Sequence, residues 1–226
     1  MKVRKMKRLR ILILALCVCL IAGVAETLNM VDAYGEDHSN HCICGEANCT
    51  DTGHSKSTAW QKWEDVYNEP KWGIKFENTN TMYVYLTQDV AMSHRIDVEA
   101  GETLYLCLNG HKIVRNSNDS NAFEATIVVY NDANLILCDC KGTGNITHGT
   151  SNGVKYNGRG VRVGTSSDGK ATFTMYGGAI SGNHAGSAGG IENGRDGAGV
   201  ELQNADFNMY GGKISNNVVE VASNYG

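Results

Sequence analysis

Three cysteines and two histidines crowd into HCICGEANCTDTGH, residues 41–54, near the front of this 226-residue chain. Cys42, Cys44, Cys49 and His54 offer three thiolates and an imidazole, the donor set zinc takes in tetrahedral structural sites. The spacing is not that of a zinc ribbon, and in an oxidising compartment the same cysteines would pair as disulfides. A disulfide, a structural metal and free or intermolecular thiols therefore all remain open for this segment. A second trio, Cys107, Cys138 and Cys140, lies downstream. A bridge from Cys107 to Cys138 or Cys140 would staple neighbouring repeats, and spacing alone does not choose the partner.

Acid–base chemistry is less defined. Asp97, Glu99, Glu102, Asp132, Asp139 and Glu201, with Arg95, Arg115, Arg159 and Arg162, supply the residue types of a glycan-cleaving site. Such a site would be a calcium-assisted lyase with an arginine base or a carboxylate-pair hydrolase. No spacing among them forms a catalytic signature, so no catalytic residue is assigned. His111 and His148 read as solvated corner residues. Tyr105, Tyr176 and Tyr210 fall on outward strand positions. Tyr176 and Tyr210, equivalent in consecutive repeats, are the candidates for stacking on sugar rings, although stacked tyrosines also simply stabilise strands.

The elements that would position these groups are repeated. FTMYGGAISGN at residues 173–183 returns as FNMYGGKISNN at residues 207–217, and LYLCLNGHKIVRN and LILCDCKGTGNITHG are weaker copies upstream. The isoleucines of the four copies are Ile113, Ile146, Ile180 and Ile214, at intervals of 33, 34 and 34 residues. Gly-rich stretches exclude paired helices as the unit. Period-two alternation puts Phe173, Met175 and Ile180 on one face, with Gly177-Gly178 as a corner. Three further segments of the same kind join Ile96-Asp97-Val98 as third strands: Ile127-Val128-Val129, Val161-Arg162-Val163 and Val200-Glu201-Leu202.

Three short strands per repeat predict an all-β, right-handed parallel β-helix of about four rungs, with like residues stacked in ladders. Asn116, Asn183 and Asn217 would form an asparagine ladder interrupted by Gly149. The loops would protrude at residues 166–170 and 186–195. Residues 58–67 are expected to form a capping helix with Trp60, Trp63 and Tyr67 on one face, or else an edge strand.

The first 25 residues read as a signal peptide: a basic head, an apolar run over residues 11–25, and small residues at Gly23-Val24-Ala25. They carry six of the 20 basic residues and none of the 24 acidic ones, so the remainder has a charge near −10. That balance argues against nucleic acid or anionic lipid as partners; carbohydrate or a cell-surface glycan is the partner that the outward tyrosines suggest. No membrane span is expected after cleavage. The expected organisation is a signal peptide at 1–25, a Cys/His segment and cap at 26–75, and a β-helix at 76–226 that is incomplete at its C-terminal end.

His41-Cys42-Ile43-Cys44-Gly45, Leu106-Cys107-Leu108-Asn109-Gly110-His111 and the Met-Tyr-Gly-Gly-x-Ile-Ser repeat together resemble a known family. It comprises the secreted or wall-associated right-handed parallel β-helix proteins, pectin-lyase-like, of Gram-positive gut bacteria. The resemblance implies a surface location and the β-helix fold without implying an activity. The expectation is a secreted protein, cell-wall associated, with a structural, adhesive or glycan-contacting role and no cofactor beyond structural zinc. The alternative is a polysaccharide lyase of the same fold, which could use calcium with an arginine base, or a glycoside hydrolase with an aspartate pair.

Overall fold

The alternation of apolar and polar residues is realised as a stack of short parallel strands. The computed structural model describes residues 42–46, 49–54, 59–67, 74, 76, 79–117, 125–165, 168–186 and 197–220. The expected signal peptide, its cleavage site and most of the expected loop at 186–195 lie outside the described residues. All described residues belong to one compact unit, Ser39–Gly226.

In chain order, β1 (Gln61–Lys62) and a single helical turn, α1 (Trp63–Val66), precede β2 (Thr81–Tyr85), β3 (Val90–Met92) and β4 (Ile96–Val98). Then come β5 (Thr103–Cys107), β6 (Lys112–Arg115) and β7 (Ala125–Val129). The next pass holds β8 (Asn134–Cys138), β9 (Asn145–His148), a hairpin of β10 (Thr150–Ser151) and β11 (Val154–Lys155), and β12 (Arg159–Val163). It is followed by β13 (Ala171–Met175), β14 (Ala179–Ser181), β15 (His184–Gly186) and β16 (Val200–Leu202), and then by β17 (Ala205–Met209), β18 (Lys213–Ser215) and β19 (Val218–Glu220).

The four passes from β2 to β16 each add one strand to each of three parallel sheets, the last pass adds β17 and β18, and β15 pairs in parallel with β19, so the chain is a β-solenoid. Sheet A runs β1-β2-β5-β8-β13-β17, sheet B runs β3-β6-β9-β14-β18, and sheet C runs β4-β7-β12-β16. The pass from Thr81 to Val98 adds two strands, β2 and β3, to those expected from the sequence.

Interior ladders hold the stack together. In sheet A, Met82, Leu104, Leu135, Phe173 and Phe207 are in register, and in sheet B so are Val90, Ile113, Ile146, Ile180 and Ile214. The apolar side chains of the central passes are fully buried, and water is excluded from a continuous core. Phe173 stacks on Phe207 with ring centroids 4.9 Å apart.

The paired glycines of the repeat do different work. Gly178 and Gly212 adopt left-handed backbone, φ 82° and 85°. Gly211 instead yields space: a β-carbon there would stand 2.2 Å from the Tyr176 carbonyl oxygen of the preceding pass. Asn183 and Asn217 form the expected rung of an asparagine ladder, Asn183 Nδ2 donating to Asn217 Oδ1 at 2.9 Å. In the pass before, His148 takes over: its Nδ1 lies 2.8 Å from Asn183 Oδ1. His148 is therefore buried rather than a solvated corner, and Arg115, stacked on it in register, is buried too and donates to the Ala125 carbonyl.

At the front of the stack the edge-strand alternative holds for Gln61 and Lys62, which pair with Val84 and Tyr85, and the expected helix is reduced to one turn. This extended stretch separates the tryptophans. Trp63 enters the interior core and stacks on Tyr67 at 4.5 Å, while Trp60 lies outside sheet A against Tyr85, Cys107 and Cys138.

Candidate metal centre

The Cys/His segment is built from two tight turns. Gly45 N donates to the Cys42 carbonyl at 2.8 Å, folding C-I-C-G into a turn that brings Cys42 and Cys44 to one cluster. Gly45 has φ 81°, and a β-carbon there would sit 3.2 Å from Cys138 Cβ and 3.3 Å from Cys140 N. Glycine thus supplies both the turn and the close approach that seats this segment against the end of β8. The second turn is capped by Asp51, whose Oδ1 accepts from Gly53 N at 2.8 Å, while His54 N donates to the Asp51 carbonyl at 3.2 Å. This turn carries the imidazole back to the cysteines.

The ligand atoms of Cys42, Cys44, Cys49 and His54 all lie within 4.8 Å of one another, and the three cysteines are buried. Zinc–sulfur bonds of about 2.3 Å in a tetrahedron separate ligand sulfurs by about 3.8 Å, so modest contraction closes the cluster around one ion. His54 presents Nδ1 to this point, 3.2 Å from Cys49 Sγ. Its other nitrogen, Nε2, faces the Tyr176 hydroxyl at 3.3 Å and Asp51 Oδ2 at 3.8 Å. A histidine that ligates through one nitrogen and donates from the other to an oriented oxygen is the usual arrangement around protein-bound metals.

The electrostatics divide the three thiols. A hydrogen bond from the Cys42 thiol, aided by the Asp51 backbone and His54, lowers the Cys49 thiol to about 7. Burial pushes Cys44 up to about 12 and also raises Cys42. Without a cation the site keeps two protons on buried sulfur; a divalent ion would displace them and offset the desolvation of the thiolates. The Cys3His cluster can therefore hold a structural metal.

The second trio is also brought together, in a different setting. Cys107 and Cys138 are in register on β5 and β8, fully buried beneath Trp60 and Tyr85, and Cys140 follows in the corner. The Cys107 and Cys140 sulfurs are 3.8 Å apart, and none of the six described cysteines is in a disulfide. The corner itself is fixed by Asn109 and Gly110, both left-handed, and by Asp139, whose two oxygens accept from Gly110 N and Gly144 N at 2.6 Å each.

Tyr176 and Tyr210 stack as their spacing implied, centroids 5.2 Å apart and planes at 17°. Their surroundings differ. Tyr210 is 72 % exposed, whereas Tyr176 is half-buried against the Cys/His segment, its ring edge-on to His54 at 5.3 Å. Sequence reasoning missed this bond because the two residues are 122 positions apart. Tyr105 stacks on Tyr83 at 4.4 Å, continuing the aromatic face of sheet A toward Trp60.

Asp97, Glu99 and Glu102 neighbour one another beside Arg95: burial and then the Asp97 charge raise Glu99, and burial, with a push from Glu99, raises Glu102. Asp97 pairs with Arg95 at 2.7 Å and Glu201 with Arg159 at 2.6 Å, while Asp139 caps backbone amides. A shallow depression on sheet C is lined by Arg95, Val128, Tyr130, Arg162 and Thr165 and by no carboxylate. Among the described residues no helix is long and apolar enough to cross a membrane. No protein-family model matches the chain, and no curated protein or solved structure is significantly similar to it.

Proposed function

We propose that this chain is a non-catalytic scaffold, secreted and held at a bacterial surface, whose β-solenoid presents an aromatic and hydroxyl-rich face to carbohydrate. In this reading Cys42, Cys44, Cys49 and His54 bind zinc, which fastens the N-terminal segment to that face and has no role in catalysis. The observation that carries the reading is the outer surface of sheet A. Tyr83 stacks on Tyr105, Tyr176 stacks on Tyr210, and Thr103, Asn134, Thr172, Thr174 and Asn208 occupy outward positions between them. Flat, in-register rings flanked by hydroxyls and amides match the apolar faces and hydroxyl edges of sugars.

A panel of plant, bacterial and host glycans, read for retention and for product release, tests this. Retention without product, lost in Tyr210→Ala with the fold intact, is the expected result. Release of unsaturated or reducing-end products would replace it with the pectin-lyase-like enzyme alternative, and retention by no glycan would remove the carbohydrate role.

A further inference from the structure

The six described cysteines divide by chemistry. Cys42, Cys44 and Cys49 meet a histidine, and among the described residues they form the only group of three or more metal-type ligands gathered within 4.8 Å. Cys107, Cys138 and Cys140 gather without one, in an apolar setting that opposes a cluster of thiolate charges but suits a neutral product. We propose that Cys107 and Cys140 are a dithiol that closes to a disulfide, a covalent staple across one full pass of the solenoid, with Cys138 remaining a thiol. This stands independently of the carbohydrate reading.

Geometry puts both Cys138 and Cys140 within hydrogen-bond reach of Cys107, and Cys140 is the accessible one of the two. The Cys107 thiol points at Cys140 Sγ from 3.8 Å, so bond formation needs an approach of roughly 1.8 Å, within reach of side-chain rotation. Cys140 Sγ is steered by Asn109 Oδ1, 3.5 Å away. Access selects the order of events: Cys140 is half-buried, whereas Cys107 and Cys138 are fully enclosed, and Gly45 of the metal-binding segment packs directly on Cys138. Burial raises the Cys107 and Cys138 thiols, which keeps both uncharged until a partner arrives.

The oxidant is a low-molecular-weight disulfide, RSSR. Cys140 gives up its proton and attacks one sulfur of RSSR, forming Cys140–S–SR and releasing the first RSH. Cys107 then loses its proton and attacks the Cys140 sulfur, forming the Cys107–Cys140 bond and expelling the second RSH. Two protein thiols are oxidised, and one RSSR takes up the two electrons and both protons. The product links the end of β5 to the corner after β8, residues 33 apart in sequence.

The test uses the full chain loaded with zinc and treated with glutathione disulfide, followed by alkylation and peptide mass analysis. Cleavage between Cys138 and Asp139 separates the two possible partners without any substitution. The expected result is a Cys107–Cys140 cross-linked peptide with Cys138 alkylated. Cys138→Ser should keep the cross-link, and Cys107→Ser should stop at a glutathione adduct on Cys140. A Cys107–Cys138 cross-link, a bridge into Cys42, Cys44 or Cys49, or three alkylated thiols after treatment would each overturn the proposal. Failure of zinc to load, by contrast, would count against the metal reading and leave the cross-link result interpretable.

Discussion

Phe173 and Phe207 occupy the same place in the two clear copies of the repeat, yet the structure predicts unequal costs for truncating them. Phe173 is fully buried in sheet A between Leu135 and Phe207. Removing its ring forfeits about 2–3 kcal/mol of transfer free energy. The void, which neighbouring passes cannot collapse into without breaking register, adds about 2 kcal/mol at the usual cost per unit cavity volume. Phe173→Ala, which also loses the stack on Phe207, should therefore destabilise by about 4–5 kcal/mol. Phe207 is only half-buried, and beside it Met209 is 45 % and Ile214 37 % exposed. Phe207→Ala opens a space that water can enter, so the cavity contribution largely disappears and about 1–2 kcal/mol remains. Urea unfolding followed by far-UV circular dichroism measures both. Equal losses, or a loss below about 1.5 kcal/mol for Phe173→Ala, would refute the ladder argument.

Further outcomes follow from the metal centre. Tyr176→Phe removes only the hydroxyl facing His54 Nε2, and it should weaken metal binding about tenfold in a chelator competition while leaving the circular dichroism spectrum unchanged. In metal-free protein Cys44 is held at about 12 against 9.0 for an unperturbed thiol. The folded state thus keeps a proton that the unfolded state loses, and this contribution is complete below pH 9 and is lost as pH rises toward 12. Melting temperatures should fall over that window in the metal-free form and hold in the zinc-loaded form, whose sulfur has no proton to release. Parallel profiles would contradict the assignment.

Much of this architecture was legible because ladders write themselves into sequence. The isoleucines at 113, 146, 180 and 214 align in register as their spacing implied, and the duplicated Tyr-Gly-Gly corner marks where sheet A gives way to sheet B. The pass carrying β2 and β3 was not legible, since its corner between them, Leu86-Thr87-Gln88-Asp89, holds no glycine to mark it. His148 looked like a turn residue because its partner, Asn183, lies one whole pass away. The metal ligands were readable by type, whereas the way the segment is fastened was not: Gly45 against Cys138 and His54 against Tyr176 are contacts across the tertiary fold that no local pattern encodes. Trp60 and Trp63 share a helical spacing, and only the pairing of Gln61 and Lys62 with β2 sends them to opposite sides of sheet A.

The central claim is that Cys42, Cys44, Cys49 and His54 bind one structural metal ion against the outer face of sheet A. The most direct measurement is elemental analysis of protein purified without chelator, joined to cobalt substitution read by its thiolate charge-transfer and d–d absorption. The account predicts close to one equivalent of zinc per chain and a tetrahedral cobalt spectrum that is lost in Cys49→Ser. Metal-free protein with Cys42, Cys44 or Cys49 in disulfides, and no thiolate band on adding cobalt after reduction, would contradict it.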